Sequence, residues 1–420
     1  FFYQPADPTP SHFNSVIVPR LEHSLSLTLT HFSPLAGRLK WPPDEPTPVL
    51  VYKPNDSVSL TIAESTNPDS FVHVAGNKPY NANESRLYVP KLQATDTEAA
   101  VISFQVTLFS NRGVAIGVSF HHTVLDGKSI SIFLKAWAHM NKQLSANSGV
   151  QLLPPDLTRF LDRSAVQDPD GLCVKILDHC DKFMPSASRR SLKLLLTSHP
   201  DPTLVRATFE ISPDDARKLR ELALSKLGTS DSNTQRLSSF VLAYSYTLVC
   251  LFKSTKLEKG LKKLVCGILV ESRRHLNPPL PDNYLGNCIT ACFADVGEEV
   301  IRKDDGFVGA AKIISECIQG VRNKSVYQVF NDRLFPAGPL VRGEFVMGMA
   351  GSPRLELYQI DFGWERPVKM VYTSVNDSGS ISFAESGDGS GGLEIGVVMT
   401  RKEMEVFDSL FVSGLKNMSA

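Results

Sequence analysis

The sequence predicts an α+β chain in which two domains, or two lobes sharing a cleft, are built on mixed sheets. At 420 residues it is too long for one ordinary hydrophobic core. Apolar runs of strand type and apolar residues at helical spacing follow one another without a regular βαβ rhythm, which argues against a doubly wound parallel fold. No G-x-G-x-x-G or P-loop opens a helix, and no repeat of solenoid length is present.

Residues 101–109 and 113–120 are rich in Val, Ile and Phe and read as two strands joined by the turn-forming Ser110-Asn111-Arg112. His121-His122-Thr123-Val124-Leu125-Asp126-Gly127 comes next, followed by Ile130, Phe133, Leu134, Trp137 and Met140 at helical spacing. A polar heptapeptide therefore sits where a strand hands over to a helix. From about residue 145 to 202 the chain is punctuated by Pro154-Pro155, Asp168-Pro169-Asp170-Gly171 and His199-Pro200, and reads as a long crossover. This gives an N-terminal lobe over 1–150, a crossover linker over 151–202 and a C-terminal lobe over 203–420. The second half opens with a strand over 204–211, then Ser212 as N-cap, Pro213 at the first helical position, Asp215 in the first turn and Gly228 past the end. Residues 264–270 and 355–360 read as strands, and 306–321 and 403–415 as helices.

Lys+Arg and Asp+Glu both number 44, without a long run of one sign, so no nucleic-acid or membrane-surface footprint is expected. No apolar run approaches the roughly 20 residues of a membrane span, and no signal-peptide pattern is visible. The seven cysteines are an odd number spread through a long chain, unlike a secreted disulfide framework. Cys288 and Cys292 lack a second ligand pair, so no metal is expected. The expectation is a cytoplasmic monomer without an obligate protein partner.

A base that deprotonates an alcohol needs to take a proton near working pH, which imidazole does with little tuning. His122 is suited to that role, and Asp126 lies four residues on. The spacing alone carries little weight, because a histidine at a strand end is more often structural.

The weight comes from combination. His121-His122-x-x-x-Asp126-Gly127, Tyr284-Leu285-Gly286-Asn287-Cys288 and Asp361-Phe362-Gly363-Trp364-Glu365 together resemble the plant BAHD acyltransferases, as does Pro34-Leu35-Ala36-Gly37-Arg38-Leu39 near the start. The resemblance runs over essentially all 420 residues. The double histidine with Asp-Gly is also similar to chloramphenicol acetyltransferases and condensation domains. It implies two similar-sized chloramphenicol-acetyltransferase-like lobes with a solvent channel between them and the histidine at its middle. It implies no permanently bound cofactor and an acyl-CoA, malonyl-CoA above all, as co-substrate. His122 would take the acceptor's hydroxyl proton and return it to the departing thiolate.

Asp126 would orient the imidazole or, as the resemblance favours, pair with an arginine of the second lobe. Arg273, 14 residues before Asn287, is the candidate, with Arg274 beside it. Trp364 would donate its indole N–H to the oxyanion, or fill the core beside Phe362. Asp361 and Gly363 belong to a turn that fixes how the sheets meet, and Glu365 stands where the family usually has glycine.

Asn277-Pro278-Pro279-Leu280-Pro281 ahead of the Tyr284 motif resembles the subgroup acting on anthocyanin, flavonoid and phenolic glucosides, many of which use malonyl-CoA. A malonyl carboxylate needs a cation, and Lys128 is the candidate, against a solvated lysine or a contact to coenzyme phosphates. Ser238 and Ser239 would begin a helix running to about Lys253 and offer backbone N–H groups to an anion. Hydroxycinnamoyl-CoA is the alternative donor, and Leu285 replaces the more usual phenylalanine. A non-catalytic relative with the same fold is the third reading, opposed by the intact His122 and Asp126.

Overall fold

The computed structural model describes residues 1–146, 152–168, 171–183, 190–194, 201–227, 237–255, 263–325, 328–329, 344–376 and 381–418. The expected Gly228 helix stop lies outside these residues. In the first half, Gly113–Phe120 pairs antiparallel with Ile102–Phe109, through a hairpin that turns at Asn111 with φ 60°. Phe2–Tyr3 and Ser59–Glu64 flank this pair in a four-stranded sheet. Along Ile102–Phe109, alternate residues Ile102, Phe104, Val106 and Leu108 are buried in one core. Helices Val18–His31 and Gly127–Ser145 cover that face. Trp137 is buried between them, its indole N–H reaching Ser24 Oγ at 3.0 Å, so a polar atom in the core is satisfied.

The second half builds a five-stranded sheet in the order Met349–Ala350, Ile381–Glu385, Leu393–Thr400, Leu204–Ile211, Tyr80–Asn81. A three-stranded sheet holds Ile289–Gly297, Lys263–Glu271 and Glu344–Met347. Helix Ser239–Ser254 is buried on nearly every face, as its continuous apolar sequence requires. Helices Gly306–Arg322 and Arg401–Asn417 pack against it, the latter opened by a capping box between Thr400 and Glu403. Among the described residues no helix is long and apolar enough to cross a membrane.

The two cores exchange segments. Tyr80–Asn81 of the first half adds a strand to the second sheet, against Val205 and Arg206. Conversely Leu357, Tyr358, Ile360, Phe362 and Met370 pack into the first core. One expectation is corrected here. Residues 355–360 are not a strand: Pro353–Leu355 and Leu357–Gln359 are single 3-10 turns, separated by Glu356 at φ 52°. Their alternating apolar residues face a core because the chain turns, not because it is extended. The crossover contains a helix, Leu172–Phe183, and Phe160 forms a β-bridge to Tyr284.

Candidate active site

The first sheet delivers the histidine turn. His121 N–H donates to Val101 O at 2.8 Å, and Val124 N–H donates to His121 O at 2.9 Å. The buried His121 ring is held at both nitrogens: Thr123 N–H donates to Nδ1 at 3.3 Å, which leaves Nε2–H to donate to Leu192 O at 2.9 Å. His121 therefore fixes the backbone that carries its neighbour. His122 itself is exposed, its ring tilted against Phe120 at 5.8 Å. Its carbonyl accepts from Asn287 Nδ2 at 2.6 Å, so the second lobe secures the same residue from the other side. No described residue hydrogen-bonds its imidazole.

Asp126 is turned away from that ring. It is 1% exposed and caps helix Gly127–Ser145, accepting from Ser129 N–H at 2.8 Å. Its other partners belong to the second lobe: Arg273 Nη2 at 2.9 Å and Cys288 N–H at 3.0 Å. Arg273 is 0% exposed and also donates to the carbonyls of Tyr284 and Gly286, each at 3.0 Å, and to Glu271 at 2.9 Å. Burial opposes its charge, yet hydrogen bonds to Asp126 and Glu271 and their fields raise its pKa above the usual value. Arg274 instead pairs with Asp282 on the surface. The aspartate and Arg273 thus join the two lobes directly beneath the histidine.

Several contributors carried no sequence signal. Ser129 Oγ bridges Arg273 and Gly286 N–H, at 3.1 and 3.0 Å. Arg163, from the crossover, donates to Leu285 O at 2.6 Å and lies 5.0 Å from the centre of the Tyr284 ring, which Arg273 also approaches, at 5.8 Å. Cys288 stands beside the pair, its thiol pushed up to about 11, chiefly by burial. Lys128 is half-buried on the first turn of the same helix, without a hydrogen-bond or ion-pair partner among the described residues. Its field helps lower the pKa of Asp282, whose first cause is the Arg274 hydrogen bond.

Other expected residues lie elsewhere. Asp361 accepts from the Gly363 and Trp364 N–H groups at 2.8 and 3.1 Å and pairs with Lys142. Burial alone would raise its pKa, but these contacts hold it below the usual range. Gly363 turns at φ 93° and Glu365 at φ 69°, a conformation that explains the usual glycine at the latter position. Trp364 stacks on Phe362 at 5.9 Å and meets Tyr3 edge-on at 5.6 Å. Lys142 is near the end of the helix that Asp126 begins, and Tyr3 pairs with Val114 at the far end of the strand leading to His121. Both paths place Trp364 on the order of 20 Å from His122, so its indole packs the core and donates to no oxyanion there.

Ser238 caps helix Ser239–Ser254, accepting from Val241 N–H at 3.2 Å, and both serines are exposed. Ser239 lines a surface cavity with Arg217 and Arg220. Lys253 sits in the last turn, about 20 Å away along the helix, and donates to Lys303 O at 3.2 Å. It caps a neighbouring carbonyl and does not join the serines at one phosphate.

Residues 1–412 match the Transferase family model. The chain is 39% identical to phenolic glucoside malonyltransferase 1 of Arabidopsis thaliana, over 99% of this chain and 89% of that one. It is 38% identical to malonyl-CoA:anthocyanidin 5-O-glucoside-6''-O-malonyltransferase of the same plant, over 97% of this chain and 89% of that one. In structure it is similar to vinorine synthase, with TM-score 0.68 and 21% identity over 98% of this chain and 88% of that one, which shows the fold. The chain belongs to the Transferase family, the BAHD acyltransferases, and is an acyl-CoA-dependent acyltransferase.

Proposed function

We propose that the enzyme transfers a malonyl group from malonyl-CoA to a sugar hydroxyl of a phenolic, flavonoid or anthocyanin glucoside, with His122 as general base. The observation that carries the mechanism is the division of labour at the turn: the His122 backbone is held from both lobes, its ring is open, and Asp126 is committed to Arg273. In a ternary complex the imidazole takes the acceptor proton, the alkoxide oxygen attacks the thioester carbonyl, and the imidazolium returns the proton to the leaving thiolate. No covalent enzyme intermediate is required. The Asp126–Arg273 pair and Asn287 position the base without touching substrate.

Donor and acceptor follow the two malonyltransferases to which the chain is similar. Lys128, close to the histidine turn and unpaired among the described residues, is the cation for the malonyl carboxylate. Ser238 and Ser239, exposed at a helix start, face coenzyme phosphate. The enzyme acts as a cytoplasmic monomer, a placement supported by the buried thiols of Cys250 and Cys266, which form no disulfide.

The test is a grid of malonyl-, acetyl- and hydroxycinnamoyl-CoA against glucosylated and unglucosylated phenolics, read by mass spectrometry. Malonylated glucoside is the expected product. Product from aromatic donors alone would overturn the donor assignment, and no thiol release with any donor would overturn the whole reading.

A further inference from the structure

A second polar cavity lies in the first lobe, over the start of the strand Ile102–Phe109. Its volume is about 80 Å³, room for a carboxylate or phosphate group but not for a coenzyme or an aromatic glucoside. Arg38, Lys91, Gln93, Ser57, Ser59 and Ser103 supply its polar groups, and no carboxylate lines it. Three observations on these residues converge.

Arg38 and Lys91 have no hydrogen-bond or ion-pair partner among the described residues, although the adjacent Lys40 pairs with Glu98 at 3.4 Å. Ser103 is 4% exposed, and its Oγ is buried without a partner. Such a hydroxyl is costly to leave unsatisfied, and the neighbouring strand shows the usual remedy, with Ser119 Oγ donating to Pro90 O at 2.6 Å. The depth of the cavity is fixed by backbone: Arg38 pairs with Ala100, and Ser59 with Ser103.

We propose that this cavity is a binding site for a small oxyanion, a short carboxylate or a phosphate, separate from the acyl-transfer centre. Two cations at its mouth and wall supply the charge, and the Ser103 hydroxyl and the Gln93 amide supply neutral donors. Its wall includes Val101, whose carbonyl accepts the His121 N–H, so an occupant packs against the residue that holds the backbone of the histidine turn. This site does not depend on which acyl donor the enzyme uses.

The experiment is calorimetric titration and thermal unfolding of the intact protein with sodium malonate and, separately, inorganic phosphate, against sodium chloride at matched ionic strength. Saturable binding of either oxyanion is expected, weakened roughly tenfold or more by Arg38→Gln, as for loss of a charge-assisted hydrogen bond. Lys91→Gln, on the exposed rim, is expected to weaken it several-fold with folding unchanged, and covers the case in which Arg38→Gln does not fold. Lys128→Ala is expected to leave this binding in place. Absence of saturable binding overturns the proposal, and so does binding that Lys128→Ala abolishes while Arg38→Gln and Lys91→Gln leave it intact.

Discussion

Asp126→Ala tests whether the aspartate supports the fold or takes part in the chemistry. The substitution strips one member from a pair whose side chains are 1% and 0% exposed, so solvent does little to screen the charge left behind. Breaking such a pair costs about 3 to 5 kcal/mol, and losing the helix cap adds about 1. Arg273 keeps the Tyr284 and Gly286 carbonyls and Glu271, which favours the lower end, a total loss of about 4 kcal/mol. Urea unfolding reads this as a lowered midpoint, and steady-state kinetics read a fall in kcat, because the turn carrying His122 shifts with its support. Asp126→Asn retains a cap acceptor and is expected to lose less of both. Asp126→Ala combined with Arg273→Met is expected to be less damaging than the sum of the two single changes. An Asp126→Ala protein with wild-type stability and turnover reduced 100-fold or more would refute the supporting role and return the aspartate to the chemistry.

The other expectations are briefer. His122→Ala should lower turnover by roughly 100-fold or more with the unfolding midpoint unchanged; near-normal turnover removes it as the base. Lys128→Ala should raise the barrier with malonyl-CoA by roughly 1.5 to 3 kcal/mol and leave acetyl-CoA nearly unaffected, whereas equal losses assign the lysine to the coenzyme or the fold. Glu365→Gly relieves a side chain held at φ 69° but adds chain entropy to the unfolded state, for a net gain of about 0.5 to 1 kcal/mol in thermal unfolding; destabilisation would mean that Glu365 makes compensating contacts. Cys288, with its thiol pushed up to about 11, should be alkylated slowly at pH 8 and faster as pH rises toward that value. Rapid labelling at pH 8 would show the site more open than its packing implies.

What was legible in the sequence was local. The hairpin over 102–120 and the helix that follows announce themselves by period, because one face of each meets a single core. The cap at Asp126 and the histidine ahead of it lie within that same short stretch. The partners of this turn come from far along the chain: Arg273 is 147 residues away, Asn287 is 165 from His122, and Leu192 is 71 from His121. No periodicity encodes such distances, and only the joint motif pattern pointed to Arg273. Ser129 and Arg163 had no such pattern behind them and came to light only in three dimensions.

The choice between the two roles open to Trp364 has the same cause. A motif shared along with the histidine motif invites a catalytic role, yet the chain reaches this one by crossing back from the second core into the first. There Asn141 Nδ2 donates to Phe362 O at 2.6 Å, Lys142 holds Asp361, and the Tyr3 hydroxyl donates to Ile360 O at 2.9 Å. The turn therefore fastens the far end of the helix whose near end is fastened by Arg273. A rigid helix held at both ends by segments of the second half leaves the histidine turn that precedes its Asp126 cap little freedom to move. On the proposed mechanism the two distant motifs act on His122 through one helix, placing the base without any contact with the substrate.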